Sequence, residues 1–509
     1  MTPSHDLFRL IQSLSSTEKA YFKKHASFTR QDKGKNIYLA LFDAVAKQKA
    51  YDEEKLKKKF KGQTFVKQFP VIKNYLYSKI LDALELYHSD LNQRFIMRKL
   101  MNRAELLRRR GMYDQSMKIL KKAKTFAKEN DMHLSLMDIA IHIELGLALE
   151  KYDMNWIERV NKEISDNLAL FKNDAIMHDL NFKIAVYYHK YLITRNPTFL
   201  QKTKQIINSE YLQDVSKAKS FFGKNRFYES HAFYALAKGD IKSVYVNARK
   251  VVSNFEATEN MIFRNFVSYI SAVNNLVDVC AELRKRDEGI EHLERFKSQP
   301  QLLSSFSIRS RVFYLYNYLF LFLNNNVGYF NDSEAAIPEI LKELKEFEEE
   351  MNDTEKGILF MNIAITYFGL NDIKQSIRWL NRIRNEMDLT DHPELDCFVR
   401  MFYLVAHYEL NNNDLVSYLV RSDSRFFSKK ESQFEIETVF LDFLKSQLPA
   451  AKTPAQRTET FQKLRDKLVP LVNQPQDKMY FKYFDFIGWL DSKIKGLPLS
   501  EVLGKTAKA

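Results

Sequence analysis

Helix-breaking positions recur along this chain at a nearly constant spacing, and that recurrence limits the possible folds more than any single motif does. From residue 91 onward a long apolar segment is followed by a tight break and then a second such segment. The breaks fall near Gly111, Lys151, Asn196, Gly239, Arg286, Asn325, Asn371 and Asn412, at successive separations of 40, 45, 43, 47, 39, 46 and 41 residues. A period of this size belongs to helix pairs stacked in series, because one pair cannot hide its apolar flank alone. Composition agrees. The 509 residues include only 13 Gly and 11 Pro against 39 Phe and 26 Tyr, so tight turns are scarce and long helices are favoured. The expected fold class is all-α, in a chain too long for one compact domain.

Three breaks align residue by residue: GMYDQS from Gly111, GDIKSV from Gly239 and NDIKQS from Asn371. Glycine or asparagine there suits a left-handed C-cap, where a β-carbon would clash. Tyr113, Ile241 and Ile373 follow as apolar anchors, and Ser116, Val244 and Ser376 supply the small or medium residue needed where the second helix approaches the first. In LFMNIAITYFGLNDIKQSIRWLNRIRN, these residues resemble the tetratricopeptide repeat family. Phe360, Ile363, Ala364 and Tyr367 fall at its first-helix positions, and Asn371, Ile373, Ser376, Leu380 and Ile383 at the break and second helix. In the Gly111 unit Leu100, Ala104, Leu107, Tyr113, Ser116, Leu120 and Ala123 align likewise, with Arg103 in place of a leucine. The Gly239 unit matches at Tyr228, Ala232, Ile241, Val244 and Val251 and departs at His231 and Ala235.

The resemblance spans residues 91–430. It implies a right-handed α-α superhelix, a tetratricopeptide-like solenoid holding a protein or peptide partner in a concave groove, and no catalytic residue. The period here exceeds the family's usual one of about 34, which implies extended helices. The family's first helix lines the groove, so the alignment implies groove positions for Arg98, Met101, Glu105, Arg108 and Arg109 at one end. Ile358, Met361, Ile365 and Phe368 are implied at the other, giving a groove basic at one end and greasy at the other. Around the repeats, residues 1–90 read as a basic N-terminal helical domain or cap, 431–495 as C-terminal capping helices and 496–509 as a tail. Within 1–90, Ser15 and Glu18 have the form of a capping box, QDKGK and KGQTF read as loops, and IYLALFDAVAKQ, YDEEKLKKKF and FPVIKNYLYSKILDALELYH read as helices.

Charge is concentrated at the N-terminal end. Residues 1–130 hold 29 Lys and Arg against 13 Asp and Glu, whereas the remainder holds 49 against 51. Such asymmetry points to an anionic partner near this end. The stretch RRRGMYDQSMKILKKAKTFAKEN, Arg108 to Asn130, carries eight of these cations. On a helical wheel Ile96, Met97, Leu100, Ala104 and Leu107 share one arc, and Ile119, Leu120, Ala123, Phe126 and Ala127 form the buried side of the next helix. Lys118, Lys121, Lys122, Lys124 and Lys128 point away from it, as a basic patch or simply a solvated face. The arginines suit an acidic peptide or a nucleic-acid backbone, since guanidinium grips carboxylate or phosphate through a two-pronged fork. Two function classes follow: a non-enzymatic scaffold for protein–protein interaction, or a nucleic-acid-binding regulator using the basic first 130 residues with the repeats as sensor. Four helices with basic loops in residues 1–90 fit either a packing cap or a helix-turn-helix variant.

The motifs of catalysis are missing from the sequence. The eleven histidines include no pair at four-residue spacing and no HExxH, and there is no CxxC, GxSxG or GxGxxG, so neither metal nor cofactor is expected. The GKT at Gly504 to Thr506 lacks the upstream glycine of a phosphate loop, since Leu499 stands there. Cys280 and Cys397 sit in periodic apolar segments and read as buried side chains. The N-terminus has no continuous apolar run of a secretory signal. The most apolar run, VFYLYNYLFLFL, is only twelve residues, whereas a membrane span needs about 20. A cytoplasmic protein without a membrane partner is therefore expected.

Overall fold

A computed structural model describes residues 5–14, 16–28, 35–48, 50–88, 93–194, 196–258, 261–299, 306–390, 392–427, 434–472, 474 and 477–507. Ser15 of the expected capping box and most of the QDKGK loop lie outside them. Among the described residues the chain is helical, with no strand. It forms two compact units, Met1–Ala169 and Leu170–Ala509.

The first unit begins with short helices around a core of Ile11, Leu41, Phe42, Leu76 and Ile80. The expected helices of this region appear as Lys35–Ala46, Glu53–Lys59 and Phe69–His88. Asp52 caps the second of these by accepting from the Lys55 backbone N–H at 2.9 Å. The helices Gln93–Arg109 and Tyr113–Lys128 then form a close hairpin. Gly111 turns it with φ of 73°. Ala104 and Ser116, both fully buried, let the helices touch, and the Ser116 hydroxyl donates to the Ala104 carbonyl at 2.8 Å.

In the second unit helices pack on one another in chain order. Phe221–Lys238 pairs with Ile241–Ala257, Phe266–Glu282 with Arg286–Lys297, Phe306–Asn326 with Phe330–Phe347, Asp353–Gly369 with Ile373–Glu386, and Pro393–Glu409 with Asn413–Phe427. First helices also touch the first helices that follow: Phe266–Glu282 contacts Phe306–Asn326, which contacts Asp353–Gly369. Left-handed residues close these pairs at Gly239, Arg284, Gly328, Asn371 and Asn411. The close-approach rule recurs at Gly369, where an added β-carbon would lie 2.4 Å from the Phe330 ring.

Three expectations need correction. The break near Asn196 is present, but between it and the Lys151 turn the two expected helices are one, Met154–Thr194, of 41 residues, and Asn196 caps the next helix through the Thr198 N–H. The turn expected at Asn325 falls at Gly328, because Asn325 is buried, donating to the Asn362 carbonyl and accepting from Thr366, both at 3.0 Å. Part of the expected tail is a packed helix, Leu499–Ala507, whose Val502 and Leu503 are buried. Cys280 and Cys397 are buried, and the run VFYLYNYLFLFL lies inside the helix Phe306–Asn326. Among the described residues no helix is long and apolar enough to cross a membrane.

Candidate functional site

The greasy end of the expected groove is filled. Met361, Ile365 and Phe368 are 1%, 2% and 5% exposed, and Ile358 is half-buried. Met361, Ile365 and Phe368 are therefore core, contrary to expectation, and Ile358 packs against it. The filling comes from the C-terminal segment: Phe484 lies 5.4 Å from the Phe368 ring and 4.9 Å from Phe402, while Tyr483 and Phe486 pack at a tilt against Phe398 at 5.0 and 6.1 Å. Polar contacts pin the segment to helix pairs far apart in the chain. Lys482 pairs with Asp278 at 2.7 Å, Arg284 with Asp485 at 3.2 Å, and the Trp489 indole N–H donates to Glu409 at 2.7 Å. The dense aromatic run YFKYFDF at Tyr480–Phe486 was the available sequence signal.

The arginine end lies in the first unit and is open in part. Arg98 and Arg109 are exposed, while Met101, Glu105 and Arg108 are half-buried. Glu105 accepts from Arg108 Nε and Nη2 at 2.9 and 3.1 Å and from Arg109 Nε at 2.7 Å. Those hydrogen bonds from Arg108 and then Arg109 hold its carboxyl down at about 2. Arg108 also faces the neighbouring helix Leu145–Glu150, since a β-carbon at Gly146 would sit 3.9 Å from its Nη1. The first unit also exposes large apolar side chains that the sequence reading missed. Leu106 is 60% exposed, Leu149 64%, Tyr152 90% and Met154 66%. Leu106 sits on the polar arc of its helix, and the other three flank the Lys151 turn, where Tyr152 takes a left-handed φ of 52°.

The basic patch divides. Lys118, Lys121, Lys122 and Lys128 are exposed, but Lys124 is not a solvated residue. Its ammonium pairs with Glu144 at 2.8 Å and Glu163 at 2.6 Å, tying three helical segments of the first unit together. Burial works against that charge, yet the two carboxylates win and raise the Lys124 pKa. Glu144 reaches inward from a π-helical turn, Ala140–Glu144, where the widened backbone re-aims a side chain.

A second cationic surface lies on and after the helix Glu53–Lys59. Lys55, Lys58, Lys59, Lys61 and Lys67 are exposed and make no ion pair among the described residues, whereas Lys57 pairs with Glu53 and Glu54 at 3.1 Å and Lys73 is buried against Glu53 at 2.5 Å. Phe22, Phe60 and Phe65 belong to the core of this region. Among the described residues no three His, Cys, Asp or Glu side chains group as a metal site. No family model matches the chain, and no match is found among curated proteins or solved structures.

Proposed function

We propose that the protein is a non-enzymatic, cytoplasmic scaffold, a tetratricopeptide-like solenoid of stacked helical hairpins that binds another protein through its first unit. The partner segment is acidic and amphipathic. One observation carries this reading: in the first unit Leu106, Leu149, Tyr152 and Met154 stand more than half exposed, and Arg98 and Arg109 are exposed on the helix that carries Leu106. Apolar side chains in water offer contact area, and exposed guanidiniums select carboxylates. The second unit supports the reading by contrast, since its inner aromatic faces are occupied by its own C-terminal segment. The test is co-purification of the tagged full-length chain from its native host, with Arg98→Glu and Arg109→Glu combined. The expected result is a stoichiometric partner whose affinity falls about tenfold or more in the double variant. A partner retained undiminished contradicts this surface.

A second reading, a nucleic-acid-binding regulator, is favoured by the exposed Lys55, Lys58, Lys59, Lys61 and Lys67. Full-length protein titrated with duplex DNA and with RNA should then show log affinity falling linearly with log salt, by about 0.9 per duplex phosphate neutralised. Absence of binding at low salt removes it.

A further inference from the structure

In the second unit the helices Ile241–Ala257 and Arg286–Lys297 flank an open pocket of about 380 Å³ that none of the surfaces above uses. Tyr245 and Arg249 line it from one helix; Glu288, Glu291, His292 and Arg295 line it from the other, with Lys285 at its edge. The carboxylates here are not equally fixed. Glu288 is held by the Lys285 ammonium at 2.5 Å and by the Tyr245 hydroxyl, so it stays engaged. Glu291 has only Arg295, one turn away on the same helix, and both side chains are more than half exposed. Such a pair contributes little and yields readily to a better ligand. Arg249 is exposed and makes no hydrogen bond or ion pair among the described residues. His292 is only 8% exposed, and its Nδ1 is buried without a partner. Burial, with Arg295 and Arg249 nearby, lowers its pKa, so the neutral ring has one N–H to offer.

We infer that this pocket is a binding site for a phosphate monoester, gripped by Arg249 and by Arg295 released from Glu291, with the His292 ring beneath. Two guanidinium forks and an imidazole N–H supply donors in more directions than a planar carboxylate can accept, whereas a tetrahedral oxyanion can take all three. The pocket is larger than a lone phosphate needs, which leaves room for its carrier.

The test is calorimetric titration of the full-length protein with O-phosphoserine, inorganic phosphate, serine and acetate, at ionic strength matched with chloride. Phosphoserine or phosphate should bind and serine and acetate should not. Tighter binding of phosphoserine identifies a carried monoester, and equal binding identifies the free ion; both support the site. Arg249→Gln, at an exposed position, should weaken binding about tenfold or more. Glu291→Gln should strengthen it several-fold by freeing Arg295, an effect that a purely structural role would not produce. Phosphate heats no larger than those of chloride, acetate binding as tightly as phosphate, or affinities unchanged in both variants would each overturn the assignment.

Discussion

Trp489→Ala should destabilise the second unit by about 3–5 kcal/mol, read as a lower urea midpoint for its unfolding transition. The indole is 1% exposed. It packs against Phe440 and Phe461 at 6.3 and 6.1 Å and donates to Glu409. Removing it therefore combines lost apolar burial, a cavity and the loss of one of the two partners of the Glu409 carboxylate. The same helix brings Lys493 to Glu409 at 2.5 Å. If residues 477–507 merely rested on the surface, the substitution would cost little, and the filled groove would have to be reopened as a binding site. Val267→Ala is the control, since Val267 is highly exposed and should be nearly neutral.

Lys73→Met should cost the first unit about 3 kcal/mol, because it leaves the Glu53 carboxylate buried beside one fewer cation. The full penalty is moderated by Tyr51, which donates to Glu53 at 2.8 Å, and by Lys57. Combining it with Glu53→Leu should recover most of the loss, since two apolar groups need no partner. Acid sensitivity gives a second reading. Burial alone would raise the Glu53 pKa, but Lys73, Tyr51 and Lys57 outweigh it and hold the carboxyl at about 2 against an ordinary 4.5. A depressed carboxyl stabilises the fold above its unfolded pKa, so this contribution is present near neutrality and is lost as pH falls from about 4.5 towards 2. In Lys73→Met the folded pKa rises, and acid unfolding of the first unit should begin at higher pH. An unchanged acid transition would mean that Lys73 does not hold Glu53.

Some of this architecture was legible from short-range chemistry. Gly111, Gly239 and Asn371 turn their hairpins at φ of 73°, 72° and 64°, because few other residues take that backbone cheaply. Ala104 and Ser116 could be paired from sequence because a close crossing demands small side chains on both helices. Other turns gave no such signal. Arg284 and Tyr152 adopt left-handed φ despite bulky side chains, held by the packing on either side rather than by their own preference. Asn325 looked like a turn residue but hydrogen-bonds inside the helix stack, so its polarity served burial instead of reversal.

The candidate site was legible only where it depends on one hairpin. Arg98 and Arg109 are exposed as the helical wheel required. Phe368 occupies a first-helix inner position in the alignment, yet its exposure was decided by Phe484, more than a hundred residues later, and local periodicity carries no information about such a contact. Lys124 failed for the same reason: the carboxylates that claim it come from Glu144 and Glu163, on two other segments. The exposed Leu149, Tyr152 and Met154 were visible as apolar residues, but a stacked-helix pattern assigns such residues to the interior by default.

Photo-crosslinking in the native host tests the central claim most directly, with a photoreactive amino acid placed in turn at Leu106, Tyr152 and, as control, Val267. A defined protein adduct is expected at 106 and 152, absent at 267, and suppressed when Arg98 and Arg109 are both reversed to glutamate. Adducts at 267 as strong as those at 106, or adducts at 106 indifferent to the charge reversal, would contradict recognition by this face.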